Sequence, residues 1–120
     1  MKISGARAVA LVLKKLGVNH IWGIPGAKTL PIYDEIQDIG INALLVTSEL
    51  SASFIADGYY RVSGKPGVCI AIPGPGMTNL LTGIAEAFLD SSAMLVITVN
   101  PRKNRHIFNI HEISQLDIVK

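Results

Sequence analysis

The 120-residue chain is 49% hydrophobic and 17% charged, a balance that suits one compact domain with its own core and excludes an intrinsically disordered segment. Its formal net charge is only +2, and its basic residues are scattered or in short groups without interleaved aromatics, which disfavours nucleic-acid binding. No apolar run is long enough to span a bilayer, and the single Cys69 sits in an apolar stretch as a small buried thiol, so a soluble cytoplasmic protein with no membrane contact is expected.

Ser4 is placed to cap a first helix whose Ala6, Val9, Ala10, Leu13 and Leu16 share one face, with Lys14 and Lys15 near its end and Gly17 as its stop. Residues 20–24 are apolar and rich in strand formers, and Pro25-Gly26 ends them in a turn. Leu30, Tyr33 and Ile36 mark a short second helix closed by Gly40. The almost unbroken apolar run 41–46 reads as a strand covered on both faces. A third helix follows, with Ser48 as N-cap, Ala52, Ile55, Ala56 and Tyr59 at helical spacing, and Gly64 as stop. Residues 67–72 give a third strand, Leu80, Leu81, Ile84, Ala85 and Phe88 a fourth helix, and residues 94–99 a fourth strand. After a polar, basic loop over 100–109, Ile110, Ile113 and Leu116 resume helical spacing.

Strand and helix alternating at these intervals imply βαβ crossovers: an α/β fold, a parallel sheet with helices on both faces, in a single domain over residues 1–120. The sequence finishes on a partial helix without a further strand. A domain incomplete at its C-terminal end is the expectation, either a fragment or a subunit completed by another chain.

One acid stands out. Glu49 begins the third helix at the carboxyl end of a strand, where open α/β sheets place their ligands; the ordinary alternative is an acid favoured in a first turn by the helix dipole. The segment Pro73-Gly74-Pro75-Gly76 likewise follows a strand and opens a helix, and its glycines let a ligand approach the backbone. A dinucleotide fingerprint is disfavoured: the third glycine is replaced by the run Met77-Thr78-Asn79, and no acid ends the next strand at Thr98-Val99-Asn100. A P-loop is excluded because no Gly-Lys-Ser/Thr follows. In a parallel sheet Pro25-Gly26, Glu49 and residues 73–76 all fall on one edge. That edge carries no Ser/His/Asp group, Cys/His pair or metal cluster, and His20, His106 and His111 are too scattered to form a ligand set. One carboxylate with little else reactive implies that a cofactor brings the chemistry.

Several linked motifs have a familiar pattern: Ile24-Pro25-Gly26; Glu49 with Ala56-Asp57-Gly58-Tyr59-x-Arg61; Gly64-Lys65-Pro66-Gly67-Val68; and Gly74-Pro75-Gly76-x-Thr78-Asn79-x-x-Thr82-Gly83-Ile84-Ala85-x-Ala87-x-x-Asp90-Ser91. In order along nearly the whole chain, they resemble the N-terminal pyrimidine-binding domain of thiamine diphosphate enzymes of the acetolactate synthase, pyruvate oxidase and pyruvate decarboxylase type. The resemblance implies that Glu49 is catalytic, hydrogen-bonding N1′ of the aminopyrimidine and favouring the tautomer that removes the thiazolium C2 proton before a 2-oxo acid is decarboxylated. It implies that Pro25, Gly76 and Asn79 line the pyrimidine side, and it offers Lys28 and His111 as weaker substrate-facing candidates.

In that family the diphosphate and Mg2+ are held by a second domain bearing Gly-Asp-Gly followed by Asn. The one Asp-Gly here, Asp57-Gly58, lies within a predicted helix, so no metal site is assigned to this chain. The implied partners are a 2-oxo acid and a diphosphate-binding domain or subunit, in a homo- or hetero-oligomer that Phe54, Tyr60 and Leu89 would help to form. The alternative is a noncatalytic interaction module that keeps the fold.

Overall fold

The computed structural model describes residues 2–100, 111 and 113–120. Ser4 Oγ accepts a hydrogen bond from the Arg7 backbone N–H at 2.9 Å and so caps α1 (Gly5–Lys15). The chain then alternates as the sequence predicts: β1 (His20–Gly23), α2 (Leu30–Asp38), β2 (Asn42–Leu45), α3 (Glu49–Ser63), β3 (Gly67–Ile70), α4 (Pro75–Leu89), β4 (Met94–Ile97) and a single turn, α5 (Gln115–Ile118). Gly64 ends α3 in the left-handed region at φ 69°, a conformation glycine adopts without steric cost.

All strand pairs are parallel, in the order β2-β1-β3-β4. Their alternation divides the core in two. Ile21, Val68 and Ile70 face Ala10 and Leu13 of α1 and Ile32 and Ile36 of α2; Trp22, Cys69 and Ala71 face Ala52 and Ala56 of α3 and Met77 and Leu80 of α4. Helices therefore cover both faces, and the fold is α/β. Cys69 is fully buried, and burial pushes its thiol up to about 12.

The second layer is packed through small residues. A Cβ on Gly67 would fall 2.0 Å from the Ala56 carbonyl oxygen, and one on Gly83 would fall 2.2 Å from Ser53 Oγ. Arg61 ties the distal end of this layer together, donating from Nε to Asp57 Oδ2 at 2.8 Å and from Nη2 to Asp90 Oδ2 at 2.5 Å.

Three expectations need correction. The run 41–46 is not a strand covered on both faces: β2 lies at the end of the strand order, its four residues are exposed, and Leu45 is 74% accessible. The helix faces are shifted as well. Ile55 and Phe88 are exposed, because the close approach of α3 and α4 selects Ala52, Ser53, Ala56, Gly83 and Ala87 for the inner surface instead, and Leu16 is exposed as the C-cap residue just past the end of α1. Finally, the helix expected over 110–116 is limited, among the described residues, to the single turn of α5. Ile110 and the predicted loop beyond Asn100 lie outside the described residues, and His111 has φ 68°, which an α-helix cannot accommodate, so only α5 forms. No helix among the described residues is long and apolar enough to cross a membrane.

Candidate functional site

The strand order reverses direction between β1 and β3, so the loops that leave these two strands flank the crevice in which open α/β sheets receive ligands. After β1, the Pro25-Gly26 turn is fixed by Thr29, whose fully buried hydroxyl accepts from the Gly26 N–H at 3.1 Å and donates to the Gly26 carbonyl at 3.0 Å. After β3, Ile72 reaches the same place: a Cβ on Gly26 would stand 2.3 Å from Ile72 Cγ2. The two loops touch.

Glu49 enters from the neighbouring strand β2 as the first residue of α3. Ser48 precedes it in extended conformation but makes no side-chain cap hydrogen bond. The Glu49 side chain is buried, with 8% exposure for the residue. Asn79, in the second turn of α4, donates from Nδ2 to Glu49 Oε2 at 3.1 Å. The other oxygen, Oε1, lies 3.3 Å from the point a Cβ on Gly76 would occupy, and Ile72 Cγ1 lies 2.8 Å from that point. Any side chain at position 76 would therefore crowd the carboxylate. Glu49 Oε1 has no hydrogen-bond partner among the described residues.

The structure thus brings Glu49, Gly76 and Asn79 together. Pro25 and Lys28 are exposed on the turn between β1 and α2, adjacent to the crevice through Gly26. His111 is exposed too, in a left-handed turn whose backbone abuts the loop between β3 and α4: a Cβ on Gly74 would meet the His111 carbonyl oxygen at 2.7 Å. Gly74 itself has φ 72°, and both that angle and this contact require glycine.

Two polar residues near this edge escape a reading of the sequence. The Tyr33 hydroxyl is buried beside Gly23, 2.7 Å from where its Cβ would stand, without a hydrogen-bond partner among the described residues. Desolvation, then the proximity of Cys69 and Glu49, drives its phenol well above the ordinary range. Gln115 accepts from Thr98 Oγ1 at 2.8 Å and donates to the Val99 carbonyl at 3.2 Å and to Asn100 Oδ1 at 2.6 Å, which pins α5 beyond the end of β4. Tyr33 carries the helical signature of a core residue, and no spacing marks Gln115 at all. Among the described residues, no three His, Cys, Asp or Glu side chains gather as metal ligands would.

Residues 3–119 match the family model described as thiamine pyrophosphate enzyme, N-terminal TPP binding domain. The chain is similar to an acetolactate synthase of Arthrospira platensis, 50% identical over 101 residues, covering 81% of this chain and 17% of that protein. It is similar to the acetolactate synthase isozyme 2 large subunit of Escherichia coli (strain K12), 47% identical over 96 residues, covering 80% of this chain and 18% of that protein. A probable 2-ketoarginine decarboxylase of Pseudomonas aeruginosa is 46% identical over 96 residues, covering 80% of this chain and 17% of that protein. The chain thus spans less than a fifth of the length of these curated relatives.

Proposed function

Because the chain belongs to the thiamine pyrophosphate enzymes, through their N-terminal TPP binding domain, we propose that it forms the pyrimidine-binding half of a 2-oxo acid decarboxylase or carboligase of the acetolactate synthase type. The observation that carries this reading is the buried Glu49 carboxylate, with one oxygen held by Asn79 and the other against Gly76. An aminopyrimidine suits that arrangement. A flat ring needs backbone without a side chain to lie against, and its ring nitrogen needs a carboxylate shielded from water.

When bound, thiamine diphosphate supplies the electron sink for breaking the bond beside a 2-oxo acid's carbonyl. The chain's own part is positional and protonic. Glu49 holds and returns a proton at Oε1, Asn79 fixes the plane of the carboxylate, and Gly76 leaves the room that the ring takes. Pro25 contributes a wall on the β1 side. Lys28 and His111, both exposed at this edge, are the proposed contacts for the anionic oxo acid. The names of the relatives include both a synthase and a decarboxylase, which supports the substrate class without dividing these two outcomes.

We assign the diphosphate and its Mg2+ to a partner domain outside these residues, in a cytoplasmic oligomer. Exposed Phe54, Phe88 and Leu89 on α3 and α4 support contact with a further chain or domain. The 120 residues alone are expected to bind thiamine diphosphate poorly. A charge-assisted hydrogen bond contributes about 1.5–3 kcal/mol, and ring burial is of similar size, against association costs of at least ~4 kcal/mol. Titration calorimetry tests the reading: binding should be weak for these residues alone, and tight and magnesium-dependent once the diphosphate-binding domain is added. Tight magnesium-dependent binding without that domain would place the metal site here and overturn the assignment.

A further inference from the structure

A cavity of about 520 Å³ opens at the opposite edge of the sheet, where the strands begin. The end of α1 and the loop after it, Lys65-Pro66 ahead of β3, and residues 93–95 at the start of β4 enclose it, with Tyr59 of α3 as a side wall. Tyr59 lies ten residues along α3 from Glu49, or about 15 Å at the helical rise. No residue of the Glu49 site takes part.

The lining has a definite chemistry. Leu16, Val18, Val68, Met94 and Leu95 make it largely apolar. The Tyr59 ring is braced at 5.2 Å from Trp22 and 6.4 Å from His20, which gives the cavity an aromatic wall. Lys65 is the one charged residue of the lining, and its ammonium makes no ion pair or hydrogen bond with any described residue. His20, Tyr59 and Asn19 add hydrogen-bonding groups, and no carboxylate faces the space. Volume and polarity are those of small-molecule sites, in which apolar walls supply affinity and a few polar groups fix orientation.

We propose that this cavity is a second ligand site, selecting a monoanion with an apolar body, a carboxylate or sulfonate on an aromatic or aliphatic frame. The anionic head lies on Lys65, and the body packs against Tyr59, against Leu16 and Val18 just beyond α1, and against Met94 and Leu95 of β4. The site is independent of the function proposed for Glu49.

The probe is 1-anilinonaphthalene-8-sulfonate, titrated by fluorescence into the full-length protein, with its uncharged counterpart N-phenyl-1-naphthylamine as the comparison. Saturable binding of the sulfonate at one site is expected, weakened about tenfold or more by Lys65→Glu, which sets like charge against the head group. Ala93→Trp, which fills the cavity without touching the charge, should also remove binding, whereas Glu49→Gln should leave it unchanged. Lys65 is exposed, so its variant tests charge without disturbing the core. Binding that survives both Lys65→Glu and Ala93→Trp, an uncharged probe that binds as well as the sulfonate, or no saturable binding at all would each overturn the proposal.

Discussion

Asn79 Nδ2 donates to Glu49 Oε2 at 3.1 Å, a contact between two helices that follow different strands and lie thirty residues apart in sequence. The amide engages one carboxylate oxygen and leaves the other toward Gly76, so Asn79 is the group that orients the proposed catalytic acid. Asn79→Ala should lower 2-oxo acid turnover by the full-length protein about tenfold, the worth of one hydrogen bond to a charged group. Because Asn79 is exposed, its melting temperature should scarcely move. Asn79→Asp should be worse, since it sets a second acid against Glu49. Steady-state kinetics beside thermal melts check both; equal activity in wild type and Asn79→Asp would remove the residue from the site.

Two glycine substitutions should separate packing from helix propensity. Gly67→Ala puts a methyl 2.0 Å from the Ala56 carbonyl oxygen, and backbone on both sides cannot yield, so a loss of about 3 kcal/mol is expected. Gly58→Ala, within α3, meets nothing within 4 Å and should stabilise by about 0.5–1 kcal/mol. Urea denaturation of the two variants should therefore shift in opposite directions.

This packing also explains what could be read in advance and what could not. Strand and helix alternated at spacings that suit a parallel α/β sheet, and Pro25-Gly26, Glu49 and residues 73–76 each stood at a strand-to-helix junction, so the edge of the candidate site was legible, whereas Asn79 was reached only through the family resemblance. The exposure of β2 was not: an apolar run reads the same in an edge strand as in a central one, and Leu44 and Leu45 are exposed because only β1 lies beside them. Nor was the inner face of α3, where small residues rather than Ile55 face α4. The contact of Gly74 with His111 joins segments 37 residues apart through a left-handed histidine, and no local periodicity encodes such a meeting.

The Asp57–Arg61–Asp90 cluster gives a pH signature. Burial pushes the Asp57 carboxyl up, but the polar neighbourhood of Ser92, the hydrogen bond from Arg61 and the guanidinium charge outweigh it and hold the group below its ordinary value of 3.8. A carboxyl depressed in the folded state stabilises the fold fully above its unfolded value and loses that contribution as pH falls through the folded one. Arg61→Met should therefore lower stability clearly at pH 7, with the gap to wild type closing below about pH 4. Denaturation curves at pH 7 and pH 3 would show it, and a constant gap would contradict the mechanism.

Cys69 has no exposed surface, and its thiol is pushed up to about 12, so almost no thiolate forms at neutral pH. Iodoacetamide should leave it unmodified in the native protein, and the rate of labelling in mild denaturant should follow global unfolding. Rapid labelling of the native protein would show that the layer between β3 and α3 opens locally.

On the proposed function Glu49 moves a proton for the cofactor, and hydrogen–deuterium exchange at C2 of thiamine diphosphate reads that step without requiring substrate turnover. Exchange is to be followed by NMR in the full-length protein with Mg2+, wild type against Glu49→Gln, with cofactor affinity measured in parallel. Glu49→Gln should slow C2 exchange by about 10²-fold or more while changing affinity only a few-fold, because the amide keeps the shape of the site but cannot accept and return a proton as a carboxylate does. Exchange at the wild-type rate in Glu49→Gln with cofactor bound would contradict the assignment.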